Sequence, residues 1–296
     1  MRHSQGLLIT AYENIDYLIE LLKIYNKYFR CYVHIDKKCK INENQWNELK
    51  HLDRVVVISE YKINWGSYKH ILAILKLLKM ACEDSCGYIH IISANTLPVR
   101  NPEKIIQFYE QNIEYIFMET LNRSMLNPKE AFEAFEYRCK AYFFDDIINV
   151  KPSWGGIKLR QLIQTMERFF ADLQIKLNIR QNVQFDYKGY VYCHFPLDAA
   201  REVLFYINNN ETYIKKLKRC YVGEEFFFQN IFMNTKWKDK VVNDCRIFDI
   251  WGKDRGYPAF LCKSDINDIF DSEYEFARKF KPHSEVFEII RKKEGF

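Results

Sequence analysis

The 296-residue chain has no run of about 18 consecutive apolar residues, the length a membrane-spanning helix needs. Its first apolar stretch stops at Ala11, too short for the apolar core of a secretory leader. These two absences lead us to expect a soluble, cytoplasmic protein. Prolines (7) and glycines (10) are few and form no tract, so low-complexity disorder drops out. The nine cysteines are odd in number and scattered, as expected of reduced thiols in a core. Cys82 and Cys86 are the closest pair, and no second pair follows to complete a zinc site.

Three further absences concern phosphate chemistry. The turn at residues 10–15 has no glycine, so a dinucleotide fingerprint is missing. No GxxxxGK[ST] occurs, which excludes a P-loop. No DxD follows the fourth predicted strand, where a divalent ion on a sugar-nucleotide diphosphate would need one. Asp145-Asp146 is the nearest substitute and reads as a helix cap or a surface pair. No cofactor and no metal are expected.

What is present is a regular first half. Short apolar runs at residues 6–11, 31–35, 54–58, 88–93 and 114–118 read as strands. Helical spacing fills residues 16–28, 68–82 and 102–111 between them. This alternation indicates βαβ units, hence an α/β fold with a mostly parallel sheet. Ligands of such sheets bind beyond the carboxyl ends of the strands. Residues 10–14, 36–38, 64–67 and 93–98 are therefore expected on one rim. The second half is less regular: helices near 156–177 and 197–208, a strand near 189–194, and a helix over 224–234 with acids in its first turn. One continuous domain over residues 1–296 is expected, its 1–120 half binding nucleotide and its 121–296 half holding acceptor and catalytic groups.

The net charge of +5 is mild, and much of the visible excess falls in the last thirty or so residues, at Arg278, Lys279, Lys281 and Arg291–Lys293. Such a tail reads as a solvated face, or as an attraction for an anionic ligand or an anionic bilayer surface. No recognition motif accompanies it, so no nucleic-acid partner is expected.

Five blocks in order then stand out: YVHIDKK (32–38), INWGSYKHILAILKLL (63–78), YIHIISANTLPVRN (88–101), GEEFFFQNIFMN (223–234) and EFARKF (275–280). Together they resemble the core-2/I-branching β-1,6-N-acetylglucosaminyltransferase and peptide O-xylosyltransferase family, across essentially the whole chain. The resemblance implies a GT-A-like, Rossmann-type fold with helices on both faces of the sheet. It also implies a UDP-sugar donor, inversion at the anomeric carbon and no required metal. Glu225 then corresponds to the catalytic base, Asp36 to the uracil contact, and Arg278 with Lys279 to the diphosphate-binding cations. Arg246 matches a further basic position. Trp65 and Gly66 match the donor-side block, and Thr10 and Ala11 supply uridine contacts. Ser93 and Asn95 sit where branching enzymes carry Gly-Gln-Asp before the proline, so the donor sugar is UDP-GlcNAc or another such as UDP-xylose.

The chemistry suits these residue types. A carboxylate takes the proton of an attacking acceptor hydroxyl, and cations stabilise the departing diphosphate. Trp154, Tyr190 and Tyr192 are candidates to stack on an acceptor sugar, and Arg138 to meet an acidic acceptor group. The expected partners are a UDP-sugar, a glycan or lipid-linked glycan acceptor, and peripherally an anionic membrane surface. Blander readings stay open here: Asp36 as a cap, Glu224 and Glu225 as first-turn acids, Arg278 and Lys279 as a solvated tail. So do two rival functions, a non-catalytic nucleotide- or glycan-binding module and a metal-dependent transferase using Asp145-Asp146.

Overall fold

The computed structural model describes residues 4–149, 156–180, 183–252 and 254–296. Twelve strands are described: β1 Gln5–Ala11, β2 Arg30–Ile35, β3 Val55–Ile58, β4 Tyr88–Ser93, β5 Thr96–Pro98, β6 Ile116–Met118, β7 Leu121–Asn122, β8 Tyr187–Lys188, β9 Cys193–Pro196, β10 Val241–Val242, β11 Ile247–Phe248 and β12 Phe276–Arg278. The α-helices are α1 Ile15–Tyr25, α2 Glu43–Lys50, α3 Lys69–Glu83, α4 Pro102–Gln111, α5 Pro128–Ala131, α6 Tyr137–Cys139, α7 Gly156–Lys176, α8 Leu197–Asn209, α9 Glu211–Leu217, α10 Glu224–Phe232, α11 Ile266–Asp271 and α12 Glu285–Glu294. A π-helical turn, Phe132–Glu136, joins α5 to α6.

Seven strands form the main sheet in the order β10-β6-β9-β4-β1-β2-β3. β9 is antiparallel to both β4 and β6, and every other pairing in this sheet is parallel. The α/β, mostly parallel expectation therefore holds. β1 is buried along nearly its whole length, as expected of an apolar strand covered on both faces. Its side chains alternate between two cores. Leu7 and Ile9 pack with α1, α4 and α12, whereas Leu8 packs with α3, α8 and α10. Helices thus cover both faces.

The two chain halves share this sheet, since β9 and β10 come from beyond residue 120. The strand expected near 189–194 starts later, at Cys193. Its partner register decides this: His194 pairs with both His90 and Phe117. The tail is not a solvated appendage. β12 pairs antiparallel with β5, setting Arg278 opposite Thr96, and parallel with β11. That three-stranded sheet brings the end of the chain back to the end of β4.

Candidate functional site

The strand order reverses between β1, which leads to β2 and β3 on one side, and β4 on the other. A crevice at the carboxyl ends of such strands is the usual ligand position. A pocket of 130 Å³ opens there, between Tyr12–Asn14 after β1, Ala94 and Asn95 after β4, and Phe280–Pro282 after β12. The first and last of the expected rim segments meet here. Ala94 donates its N–H to the Thr10 carbonyl (3.1 Å), and Phe280 donates to the Asn95 carbonyl (3.0 Å). Ser93 Oγ donates to Asn95 Oδ1 (2.7 Å), which fixes the β4–β5 turn. Asp36 donates its backbone N–H to the Ala11 carbonyl, and its Oδ1 accepts from the Lys38 N–H at 2.8 Å. It is an Asx turn at the end of β2 and caps no helix.

Arg278 is buried at the end of β12. Its guanidinium stacks on Tyr192 (4.5 Å) and lies 3.9 Å from Asp249, while its Nε has no partner. Asp249 is gripped elsewhere: Tyr190 donates to it at 2.9 Å and Trp251 at 3.0 Å. Burial pushes the Asp249 carboxyl up, and Tyr190, Arg278, Trp251 and Lys279 pull it back. Tyr190 and Tyr192 therefore line the cation's side of the rim, and Asp249 is a site residue the sequence reading missed. Lys279 donates to the Tyr257 carbonyl at 3.3 Å.

Glu225 enters from another direction. α10 is core: Phe226, Phe227, Phe228, Ile231 and Phe232 are all buried. Of the helix only Glu225 is not buried. The residue before Gly223, Val222, has φ +51°, a conformation that β-branched side chains avoid. It abuts Gly66, whose φ is +78°, and Trp65 packs edge-on against Tyr221 (5.6 Å). The expected Trp65-Gly66 contact with the rim thus includes the approach to α10. Glu225 Oε2 accepts from Arg138 Nη1 at 2.7 Å, with Lys188 Nζ at 3.7 Å. Burial lowers the Lys188 pKa and Arg138 lowers it further, against the pull of Glu225 and Glu119. Glu119, at the end of β6, has its carboxyl pushed up by the surrounding protein, by Asp249 and by Glu225. It links the Arg278 side of the rim electrostatically to the Glu225 side.

Arg138 corrects an expectation. It is 8% exposed, donates from Nε to the Tyr221 carbonyl, and stacks on Phe226 at 5.3 Å. Its fork is spent on Glu225 and on the chain before α10, so it holds that carboxylate in place and does not reach for an acceptor. The π-helical turn that ends at Glu136 helps set it there; such insertions recur at functional sites.

Arg246 is a second correction. It binds Glu275 through Nε (2.8 Å) and Nη2 (2.7 Å), at the opposite end of β11 and β12 from Arg278. That bidentate pair holds the small sheet together and leaves no fork for phosphate. Asp145 is a third. It is buried with both oxygens unpartnered, and it caps no helix; Asp146 accepts from Ser67 Oγ at 2.6 Å. Trp154 lies outside the described residues.

Glu224, beside Glu225, faces inward. Its Oε1 lies 3.6 Å from His70 Nδ1, and His70 Nε2 hydrogen-bonds Thr10 Oγ1 at 3.2 Å. Among the described residues no three His, Cys, Asp or Glu side chains are grouped to hold a metal ion. None of the described helices is long and apolar enough to cross a membrane.

No protein-family model matches the chain, and no curated protein matches it. Solved structures give partial likenesses. Residues 1–349 of S. aureus TarS, in complex with UDP-GlcNAc, match 39% of this chain and 33% of that one, at 14% identity and TM-score 0.29. Core-mannan synthase A from Aspergillus fumigatus, in a Mn/GDP form, matches 80% and 71%, at 12% identity and TM-score 0.32. Mannose-1-phosphate geranyltransferase from Thermus thermophilus matches 78% and 72%, at 10% identity and TM-score 0.32. The chain spans a third of the TarS structure it matches. Superpositions this loose carry no functional argument, which rests on the residues above.

Proposed function

We propose that this chain is a GT-A-like glycosyltransferase that moves a sugar from a UDP-sugar, with UDP-GlcNAc favoured, to a glycan hydroxyl by inversion and without a required metal. The observation that carries the reading is one shared rim. A rigidly held carboxylate, Glu225, and a buried guanidinium with a free Nε, Arg278, stand on either side of Glu119 and Asp249. Glu225 would accept the proton of the acceptor hydroxyl as that oxygen attacks C1 of the donor sugar. Arg138 and Lys188 hold it in place by charge pairing. The bond from C1 to the diphosphate oxygen breaks in the same step, and UDP leaves as an anion. Arg278 and Lys279 would stabilise that charge. Uridine would lie against the carboxyl ends of β1 and β2, over Thr10, Ala11 and Asp36, whose Oδ2 keeps a long 3.4 Å contact with Lys38 Nζ. Assembly of a bacterial surface polysaccharide is the setting in which we place such a transferase.

Calorimetric titration of UDP, first in EDTA and then with Mn²⁺, tests the donor side. Binding in EDTA that Arg278→Ala abolishes is expected; binding that needs Mn²⁺ would overturn the metal-free reading. On the chemical side, Glu225→Gln should cut UDP-GlcNAc turnover by about 10²–10⁴ with UDP affinity unchanged. Glu224→Gln should leave most of the turnover. The reverse ranking would move the base to Glu224.

A further inference from the structure

The α7 helix exposes a row of large apolar side chains that no described part of the fold covers. Leu162, Met166, Phe169, Phe170, Leu173 and Leu177 recur at spacings of three and four, so they lie on one face. All six are exposed, with Phe169 and Leu177 at 64% each. The row is about 22 Å long at 1.5 Å per residue. The opposite face is the seated one. Ala171 is buried against Ala141 and Phe143, with Ile175 beside it. The loop after Phe143 exposes further apolar side chains, Ile147 at 67% and Ile148 at 50%. It is tied to α7 by the Phe144 backbone N–H, which Glu167 accepts.

Solvated helices put charge on the outward face, and soluble monomers seldom expose a contiguous patch of this kind. The charges of α7 decide what it fits. Lys158, Arg160, Arg168 and Lys176 outnumber Glu167 and Asp172, and Glu167 is turned toward Phe144 and Asp145. Lys158 and Lys176 lie at the two ends of the helix, beside the margin of the row by helical periodicity. A second copy docked through the same face would set cation against cation, which opposes a two-fold contact. An anionic lipid surface answers both features: acyl chains for the phenylalanines and leucines, phosphate headgroups for the flanking lysines.

We propose that α7 and the 147–148 loop form an interfacial membrane-docking surface, with α7 lying in the plane of an anionic bilayer. The proposal concerns a surface remote from the basic tail helix α12, whose Val286, Phe287 and Ile290 are buried in the core. It does not depend on the enzymatic reading, because it is measured without substrate.

The test is co-sedimentation of the full chain with vesicles of phosphatidylcholine alone or with 30 mol% phosphatidylglycerol. Binding to the anionic vesicles, reduced by high salt, is expected. Lys158→Gln with Lys176→Gln should weaken it about 25-fold, at about five-fold per cation. Phe169→Ser with Phe170→Ser should abolish it while far-ultraviolet circular dichroism stays unchanged, since both side chains are exposed. Lys292→Gln with Lys293→Gln should change little. Three results would overturn the proposal: no binding by the wild type, loss only in the Lys292/Lys293 variant, or lipid-free dimers in sedimentation velocity that the phenylalanine variant dissolves.

Discussion

Asp145 offers a quantitative check on how the loop before α7 is held. Its carboxyl is 3% exposed and neither oxygen has a partner. Burial, seconded by Glu167 and Glu224, pushes its pKa up from 3.8 to about 8. Between those values the folded chain keeps the proton and the unfolded chain releases it. Stability therefore falls as pH rises through that window, by about 1.4 kcal/mol per pH unit. Asp145→Asn keeps the shape and removes the titration. Relative to wild type, the variant should gain about 2.7 kcal/mol between pH 5 and pH 7. At about 2–4 °C per kcal/mol, that is roughly 5–10 °C in Tm. Urea unfolding of both proteins at pH 5, 6 and 7 provides the difference directly, and groups that titrate in both cancel. Parallel stability curves would refute the claim that the fold holds Asp145 in its neutral form.

Three other perturbations follow from contacts described by the structure. His34 Nε2 accepts the N–H groups of Glu60 and Tyr61, and burial lowers its pKa to about 4, so protonation breaks both bonds. Stability from this group is complete above pH 6.5 and lost as pH falls; His34→Gln should gain about 2 kcal/mol on wild type between pH 7 and pH 5, read by the same urea curves. A Cβ at Gly189 would sit 1.8 Å from the Glu119 carbonyl oxygen, and its N–H donates to the Glu225 carbonyl at 2.9 Å. Gly189→Ala should cost about 1–3 kcal/mol in thermal unfolding and reduce turnover as well. Arg138→Met removes a charged hydrogen bond from Glu225 and should cost about 1.5 kcal/mol, near the low end because that carboxylate reaches water. Arg138→Lys should restore little turnover, since a point charge cannot serve both Tyr221 and Glu225.

The parts of the fold legible in the sequence are those whose pattern is local. β1, β2 and β4 are dominated by apolar residues, and α3 and α10 carry their helical spacing on their face, so the strand ends that form the rim are legible locally. Asp36 lies at one of those ends, whereas Glu225 and Arg278 belong to no strand end that the local pattern lays out. What escaped is what depends on distant pairing. β12 is three residues long, and its place is set by β5, about 180 positions earlier in the chain. Without that pairing Arg278 reads as tail, and Asp249 has no reason to be singled out. The same holds for Lys188, Glu119 and the Thr10–His70–Glu224 contacts, which join residues from three or more elements. Arg138 and Arg246 show the converse error. A lone arginine in a sequence carries no sign of whether its fork is already occupied, and here Glu225 and Glu275 occupy them.

The two sides of the rim are both seated in interior structure. The carboxylate of Glu225 rides on a helix whose next residues are core. Arg278 follows Phe276 and Ala277, which are wholly buried in the cluster that also holds α1, α4 and α12. Short strands do not make that sheet loose: pairing ties it to the β4–β5 turn, and its side chains tie it to the main core. Both groups are thus placed by packing before any ligand arrives, and accommodating one falls to exposed side chains around them, such as Tyr12 and Trp251.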